Sequence, residues 1–340
     1  MPQNRAAWQN ALATPLVIQP APYTSPHASE LVIANHAIAV NPADHVLQTA
    51  GLDAFAYISY PFIFGEDVAG TVTEVGSAVT RFKVGDRVLA ICLGTVTNRA
   101  SEGAFQAYSI VAEHMTSPIP ESMKFEEAAI FPLGLTTAAS GLFQKDRLAL
   151  QYPSAHAEPT GQALLIWGGA SSVGCNAIQL AVAAGYEVFV TASPSNFDLV
   201  ERLGASQVFD YHSSSVVDDI VATLKDKMIA GALNAAPGGT EPCLTILERS
   251  KGNKFLATAS LPKPEILPEG VKVEFVQSTN IRDTEVSKVV FEDFLPEALA
   301  QGKFVAAPEP RVVGHGLEFV QEALDVLKKG VSASKLVVTL

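Results

Sequence analysis

The sequence predicts an α/β chain in which a β-rich domain accompanies a doubly wound parallel sheet. Three observations carry that prediction. From Leu31 to about Val111, short β-branched runs are broken by Gly and Pro, the texture of twisted, mostly antiparallel strands. From Gln162, apolar runs alternate with helical stretches, and the runs are too continuously apolar to have a wet face, as in a parallel sheet covered on both sides. Between two of these runs lies a turn of small residues, Gly168 to Gly174. A length of 340 residues exceeds one ordinary core and fits two domains. The expected division is 1–125 with 300–340 for the β-rich domain and 126–299 for the parallel sheet.

The β-rich domain draws its strands from Leu31 to Val40, Val68 to Val75 and Val84 to Ile91. In the second domain the first strand is Ala163 to Trp167. A helix carrying Val173, Ile178, Leu180, Ala181 and Ala184 leads to a strand at Glu187 to Ala192, completing one βαβ unit. A helix from about Asn196 to Leu203 precedes a short strand at Gln207 to Phe209. Ser215 followed by Asp218 and Asp219 reads as a capping pair opening the next helix. Strands at Ile229 to Ala235, Lys254 to Ala259 and Val271 to Gln277 bring the count to about six. Helices near Val286 to Ala300 and Gly316 to Lys329, then a strand at Lys335 to Thr339, return to the first domain. No repeat period or low-complexity tract is present.

Composition narrows the function classes. The net charge of −12, without a local Lys/Arg cluster, opposes nucleic acid and anionic lipid as partners. No apolar run reaches the roughly 18 residues of a membrane span, and the N-terminus carries no secretory pattern, so the expected location is the cytoplasm. The three cysteines, Cys92, Cys175 and Cys243, lie far apart and read as buried thiols rather than a disulfide framework or a zinc loop.

The segment from Ile166 to Gly174 leaves a buried strand and enters a helix. Gly168, Gly169, Ser171, Ser172, Val173 and Gly174 let the backbone approach a pyrophosphate, and the helix N-terminus offers N–H donors and partial positive charge. A full glycine fingerprint would need Gly at 171, where Ser171 stands; its hydroxyl could itself donate to a phosphate oxygen. The tip of the next strand, Ser193, Pro194, Ser195 and Asn196, lacks the carboxylate that holds the ribose of NAD. Neutral donors there, with Tyr211 at the end of the following strand, favour NADPH.

With this turn, the stretches Pro61 to Gly70 and Val75-Gly76 through Val88 resemble the medium-chain dehydrogenase/reductase superfamily over nearly the whole chain. Asn41-Pro42-Ala43-Asp44, Gly65-Glu66-Asp67 and Gly134 to Ala139 are most similar to its zinc-free quinone and enoyl reductase branch, above all to fungal enoyl reductases that assist polyketide synthases. The resemblance implies a GroES-like domain beside a Rossmann domain. It implies NADP(H) contacts at Asn41, Pro42, Ala43 and Asp44, at Ser171 to Gly174, at Ser193 to Asn196 and Tyr211, and at Ser260-Leu261 and Val331-Ser332. It also implies a substrate and nicotinamide cleft lined by Pro132, Leu133, Gly134, Leu135, Thr136, Thr137, Ala138 and Ala139, with Thr137 beside the nicotinamide.

Zinc members of that superfamily carry Cys in the early loop and a Gly-His-Glu motif. Here Asp44 and Gly65-Glu66-Asp67 stand instead, a poor tetrahedral zinc set, and the four-cysteine lobe is absent. No metal is expected. Without a Lewis acid to ionise an alcohol, hydride transfer to a double bond conjugated with a carbonyl is the easier chemistry. The expected substrate is an enone, a quinone or an enoyl thioester, the last delivered by a polyketide synthase. The proton donor is sought at Tyr57, Tyr60 or His45, which lie near the motif residues. Alternatives are a non-catalytic NADPH-binding protein and a redox-neutral cyclase or isomerase on the same fold. Both a monomer and a homodimer are compatible with the sequence.

Overall fold

The computed structural model describes residues 2–51, 55–154, 156–260 and 267–340. The chain separates into two compact units, Met1–Leu133 with Leu295–Leu340, and Gly134–Phe294. Elements are numbered along the chain.

In the first unit, β1 (Asn4–Gln9) and β2 (Leu16–Ala21) pair as an antiparallel hairpin that no sequence signal announced. The main sheet has the order β15-β16-β3-β4-β5-β7, with β6 on β3. Its strands are β3 (Glu30–Ala39), β4 (Asp67–Val75), β5 (Arg87–Ile91), β6 (Tyr108–Ala112), β7 (Thr116–Pro118), β15 (Glu309–His315) and β16 (Ser334–Thr339). Pairing is antiparallel except between β15 and β16, which makes the sheet mixed. The sequence hides β15 because Pro310, Arg311 and Gly314 interrupt any apolar alternation, a composition tolerated at a sheet edge. The core gathers Ile33, Ile38, Phe62, Phe64, Phe105 and Val338, with Val320 and Leu324 from α11 (Phe319–Lys328). Short helices α1 (Pro42–Thr49), α2 (Gly94–Thr97) and α3 (Phe125–Ala128) follow the loops, and α10 (Leu295–Ala300) opens the C-terminal part of the unit.

The second unit is a parallel sheet: β8 (Gln162–Trp167), β9 (Glu187–Ala192), β10 (Gln207–Asp210), β11 (Met228–Asn234), β13 (Phe255–Thr258) and β14 (Lys272–Phe275), with the two-residue β12 (Lys251–Gly252) beside β11. The order β10-β9-β8-β11-β13-β14 is that of a dinucleotide-binding sheet, whose ligand lies at the carboxyl ends of the strands where the order reverses. The crossovers are α5 (Ser172–Ala183), α6 (Phe197–Arg202), α7 (Val216–Leu224) and α8 (Thr240–Arg249). Leu165, Trp167, Ile220, Leu244 and Leu256 pack one buried cluster against this sheet.

Two local expectations change. Ser215 does precede α7, but its hydroxyl donates to the Asp219 carboxylate at 2.7 Å instead of accepting a helix N–H. The stretch expected as one helix over Val286 to Ala300 is α9 (Glu285–Lys288), a π turn at Val289–Phe294 and then α10. Pro296 has no N–H to return to the preceding turn, so the backbone changes its hydrogen-bond register before it. Helix α4 (Pro132–Phe143) occupies the segment expected to line a cleft.

Candidate functional site

In the second unit the turn between β8 and α5 is shaped by contact. Gly168 has φ +85°, and a Cβ at Gly174 would lie 2.3 Å from the Gly168 carbonyl oxygen and 2.7 Å from Gly169 Cα. Only glycine lets the helix start close on the strand end. Ser171 is the N-cap: its Oγ accepts from Gly174 N–H at 3.0 Å and donates to Gly168 O at 2.8 Å. Both the donor and an acceptor position of that hydroxyl are therefore used within the turn. Ser172 Oγ is buried with no partner among the described residues. The first N–H groups of a helix have no intrahelical acceptor, which leaves those of Ser172 and Val173 for a ligand.

At the carboxyl end of β9, Asn196 Nδ2 donates to Ser193 Oγ at 2.9 Å, and Ser195 Oγ lies 3.4 Å from Ser193 Oγ. Pro194 and Ser195 are exposed. Asp210 of β10 is in register with Ala192 of β9, so the half-exposed Tyr211 follows at the same sheet edge. Its ring meets that of His212 at 4.0 Å. His212 in turn donates its backbone N–H to Asp210 at 3.0 Å, and its Nδ1 lies 2.8 Å from the same oxygen. That backbone bond holds the Asp210 carboxyl below the usual range. This carboxylate and its histidine were missed by the sequence reading, which looked for acid only at the tip of β9. At the end of β13, Ser260 N–H donates to Thr258 Oγ1 at 3.1 Å; Leu261 lies outside the described residues. Gly134 packs against Ser172 and Asn176, where a Cβ would come within 2.5 Å of Ser172 Oγ. Leu135, Thr136, Ala138 and Ala139 are fully buried and Thr137 nearly so.

In the first unit the motif residues build a buried acidic cluster. Asp67, at the start of β4, is fully buried and has three partners: Lys335 Nζ at 2.8 Å, Asn41 Nδ2 at 2.9 Å and Leu133 N–H at 2.6 Å. Lys335 also donates to Asn41 Oδ1, so the Asn41 carboxamide is committed to this network. Asp44 closes the first turn of α1 by accepting Asn41 N–H at 2.8 Å, while its Oδ1 has no partner among the described residues. Glu66 accepts from Thr95 Oγ1 at 3.3 Å through Oε1, and its Oε2 likewise has none. Burial first, then the neighbouring acids, lifts Glu66 to about 8; burial first, with Asp67 adding, lifts Asp44 to about 7. Of the four residues expected at the cofactor, Pro42 and Ala43 are exposed, whereas Asn41 and Asp44 are buried.

The donor candidates fare unevenly. Tyr57 is half-exposed, and its hydroxyl donates to the Thr95 carbonyl at 2.6 Å. Tyr60 is partly buried, which raises its phenol, and its ring lies 6.2 Å from that of Phe64. His45 is partly exposed on α1. Val331 and Ser332 lie just before β16. Lys335 was the site residue most completely missed. Its only sequence signal was a lone cation inside the apolar strand Ser334–Thr339.

Residues 27–121 match the alcohol dehydrogenase GroES-like domain. The dehydrogenase pigH of Monascus ruber is 48% identical over the full length of both chains. The chain belongs to the medium-chain dehydrogenase/reductase superfamily. Other relatives in the superfamily include the trans-enoyl reductase himH of Aspergillus japonicus, 42% identical over 98% of this chain and 97% of its own. Among solved structures, CurK enoyl reductase shares the fold with a TM-score of 0.79 at 22% identity over 99% of each chain.

Membership of this superfamily implies a nicotinamide cofactor. The residues fit one: the turn at Gly168 to Gly174 brings backbone close to a ligand, and Ser172 Oγ is a sheltered donor awaiting an acceptor. A zinc ion is another matter. Asp44 and Glu66 supply only carboxylate oxygens, and among the described residues no group of three or more His, Cys, Asp or Glu is arranged to hold a metal ion. All three cysteines are buried, and burial raises each thiol. No helix among the described residues is long and apolar enough to cross a membrane.

Proposed function

We propose that this chain is a zinc-independent, NADPH-dependent reductase that adds hydride to the β-carbon of an α,β-unsaturated carbonyl compound in a biosynthetic pathway. The observation that carries the reading is the donor set of the first unit. Where a metal-dependent alcohol dehydrogenase needs nitrogen and sulfur donors, this chain has Asp44, Glu66 and an Asp67 already bound to Lys335. That set does not suit the zinc ion that ionises an alcohol, and an activated double bond needs none.

Bound reduced nicotinamide would supply the hydride. The chain's own residues bind and orient: Ser172 Oγ and the N–H groups of Ser172 and Val173 hold the pyrophosphate, and the neutral Ser193, Ser195 and Asn196 accept a 2′-phosphate without repulsion. Thr137 stands beside the nicotinamide in this reading. The name trans-enoyl reductase, borne by himH, puts an enoyl compound first among the substrates to try, and a thioester carried by a polyketide synthase is the form expected from the sequence resemblance.

The test is loss of NADPH absorbance with a panel of enones, quinones and enoyl thioesters, using protein treated with a chelator. The reading expects turnover with at least one member, a preference for NADPH over NADH, and no gain on adding zinc. A rate that appears only with zinc, or no turnover with any member, would contradict it.

A further inference from the structure

The ends of β9 and β10 form one edge of the second unit, since the strands run parallel with Asp210 opposite Ala192. Neighbouring strands lie about 4.8 Å apart, so the residues that follow, Ser193 to Asn196 and Tyr211 to Ser215, share that edge. In a dinucleotide-binding sheet the adenosine ribose lies at the tip of the second strand, here β9. Neither segment contains Lys or Arg. A 2′-phosphate placed there meets neutral donors and one carboxylate that repels it, Asp210. The backbone N–H of His212, and then its ring, hold that carboxyl below the usual range, so it is ionised near neutrality. The one side chain in either segment that can carry positive charge is His212. We infer that His212 binds the 2′-phosphate of NADPH and sets the choice of NADPH over NADH, with Asp210 positioning its ring.

The hydrogen bonds define how the ring is set. An ionised carboxylate only accepts, so the 2.8 Å contact between His212 Nδ1 and Asp210 Oδ1 puts a hydrogen on Nδ1. Nε2, on the far side of the ring, is left for a ligand, and the side chain is 59% exposed. The Tyr211 ring packs against the imidazole with centroids 4.0 Å apart. The same Asp210 oxygen accepts the His212 backbone N–H at 3.0 Å, which fixes the chain beneath the ring. A phosphate dianion also only accepts, so a bond from Nε2 needs a second hydrogen there. The ring then carries its charge between two anions, the carboxylate behind and the phosphate in front, and both bonds are charge-assisted. NADH offers a neutral hydroxyl in that place and gains no such bond.

The neighbouring elements supply no competing cation at the tip. Of those that pack on β10, β9 ends without a charged side chain, and α6 carries Asp198, Glu201 and Arg202. Helix α7 carries Asp218, bound to Arg249 at 2.7 Å, and Asp219, which accepts the Ser215 hydroxyl at 2.7 Å. Among the described residues, the side chains of Asp210 and His212 hydrogen-bond only with each other and with the His212 backbone. The inference rests on the NADPH reading proposed above, and the test separates the two.

Calorimetric titration with 2′,5′-ADP and with 5′-AMP, the adenosine end with and without the 2′-phosphate, reads the inference without any turnover. His212→Ala is expected to weaken 2′,5′-ADP by about 10-fold or more while 5′-AMP stays within about 3-fold of wild type. Adding Asp210→Asn to that variant removes the bare carboxylate and should recover about 3-fold or more for 2′,5′-ADP alone. The wild-type advantage of 2′,5′-ADP over 5′-AMP should shrink from about pH 6 to about pH 9, as the hydrogen between ring and phosphate is lost. His212→Lys, a cation throughout that range, should keep the advantage. A His212→Ala chain that holds 2′,5′-ADP within about 3-fold of wild type overturns the inference, and so does one that loses both ligands alike, which would make His212 a prop for the edge. A wild type that binds 2′,5′-ADP no better than 5′-AMP brings down the NADPH preference itself. A wild type that shows the expected pattern but reduces no member of the panel brings down the proposed reduction and leaves His212 as the phosphate ligand.

Discussion

The two sites of this chain are built in opposite ways. The nucleotide turn is made of seven consecutive residues, Gly168 to Gly174, and works through backbone: close approach at Gly174, a serine cap at Ser171, and N–H groups at the start of α5. The acidic cluster is made of side chains from Asn41, Asp44, Glu66, Asp67, Thr95 and Lys335, brought together from positions up to 294 residues apart. A site made of local backbone survives changes of charge but not of volume. A site made of distant side chains should behave in the reverse way, and this contrast can be tested.

The largest effect is expected from Lys335→Met, which leaves Asp67 buried without its cation. Breaking a buried ion pair from one side costs about 3–5 kcal/mol, and denaturant unfolding should show that loss. Adding Asp67→Asn to the same chain should recover most of it. Next comes Gly174→Ala, where the new Cβ meets backbone atoms that cannot move aside. A loss of about 1–3 kcal/mol is expected, with NADPH affinity, measured by fluorescence titration, reduced as well. Ser171→Ala should cost about 1 kcal/mol through loss of the cap, while NADPH affinity stays near wild type, because that hydroxyl is spent inside the turn. A large loss of affinity in Ser171→Ala would show that the serine touches phosphate after all.

Titration separates the two regions further. Burial raises Asp44 and Glu66 above their ordinary values of 3.8 and 4.5, so the folded chain holds protons that the unfolded chain releases. Their stabilising effect is complete below about pH 4 and is lost as pH rises through about 7 and 8. The thermal midpoint should therefore decline from about pH 5 to about pH 8 and level off above, and Glu66→Gln should flatten that decline. Asp210, held low by the backbone N–H of His212, does not join this change, because it stays ionised over the whole range.

What the sequence reveals follows the same division. The parallel sheet was legible because its central strands β8, β9 and β11 are nearly continuous apolar runs, and β9 falls where the pattern puts it, at Glu187–Ala192. The turn was legible as small residues between strand and helix, although the role of Ser171 was not, since a cap and a phosphate donor need the same residue type. Strand β15 was invisible because an edge strand can carry Pro310 and Gly314 without losing its pairing. Within the acidic cluster, Asp44, Glu66 and Asp67 stood out as residues, but their states did not. Those depend on which acid receives the one lysine, and only β16 beside β3 brings Lys335 to Asp67. Likewise Tyr57 read as a free donor until Thr95 was seen to take its hydrogen.

The central claim is that this fold passes hydride from NADPH to carbon. NADPH carrying deuterium at the transferable C4 position, given with an unsaturated carbonyl substrate, tests it directly by mass spectrometry of the product. The account predicts a saturated product with the deuterium at its β-carbon. A product with the mass of the substrate and no label, formed equally well without NADPH, would contradict it.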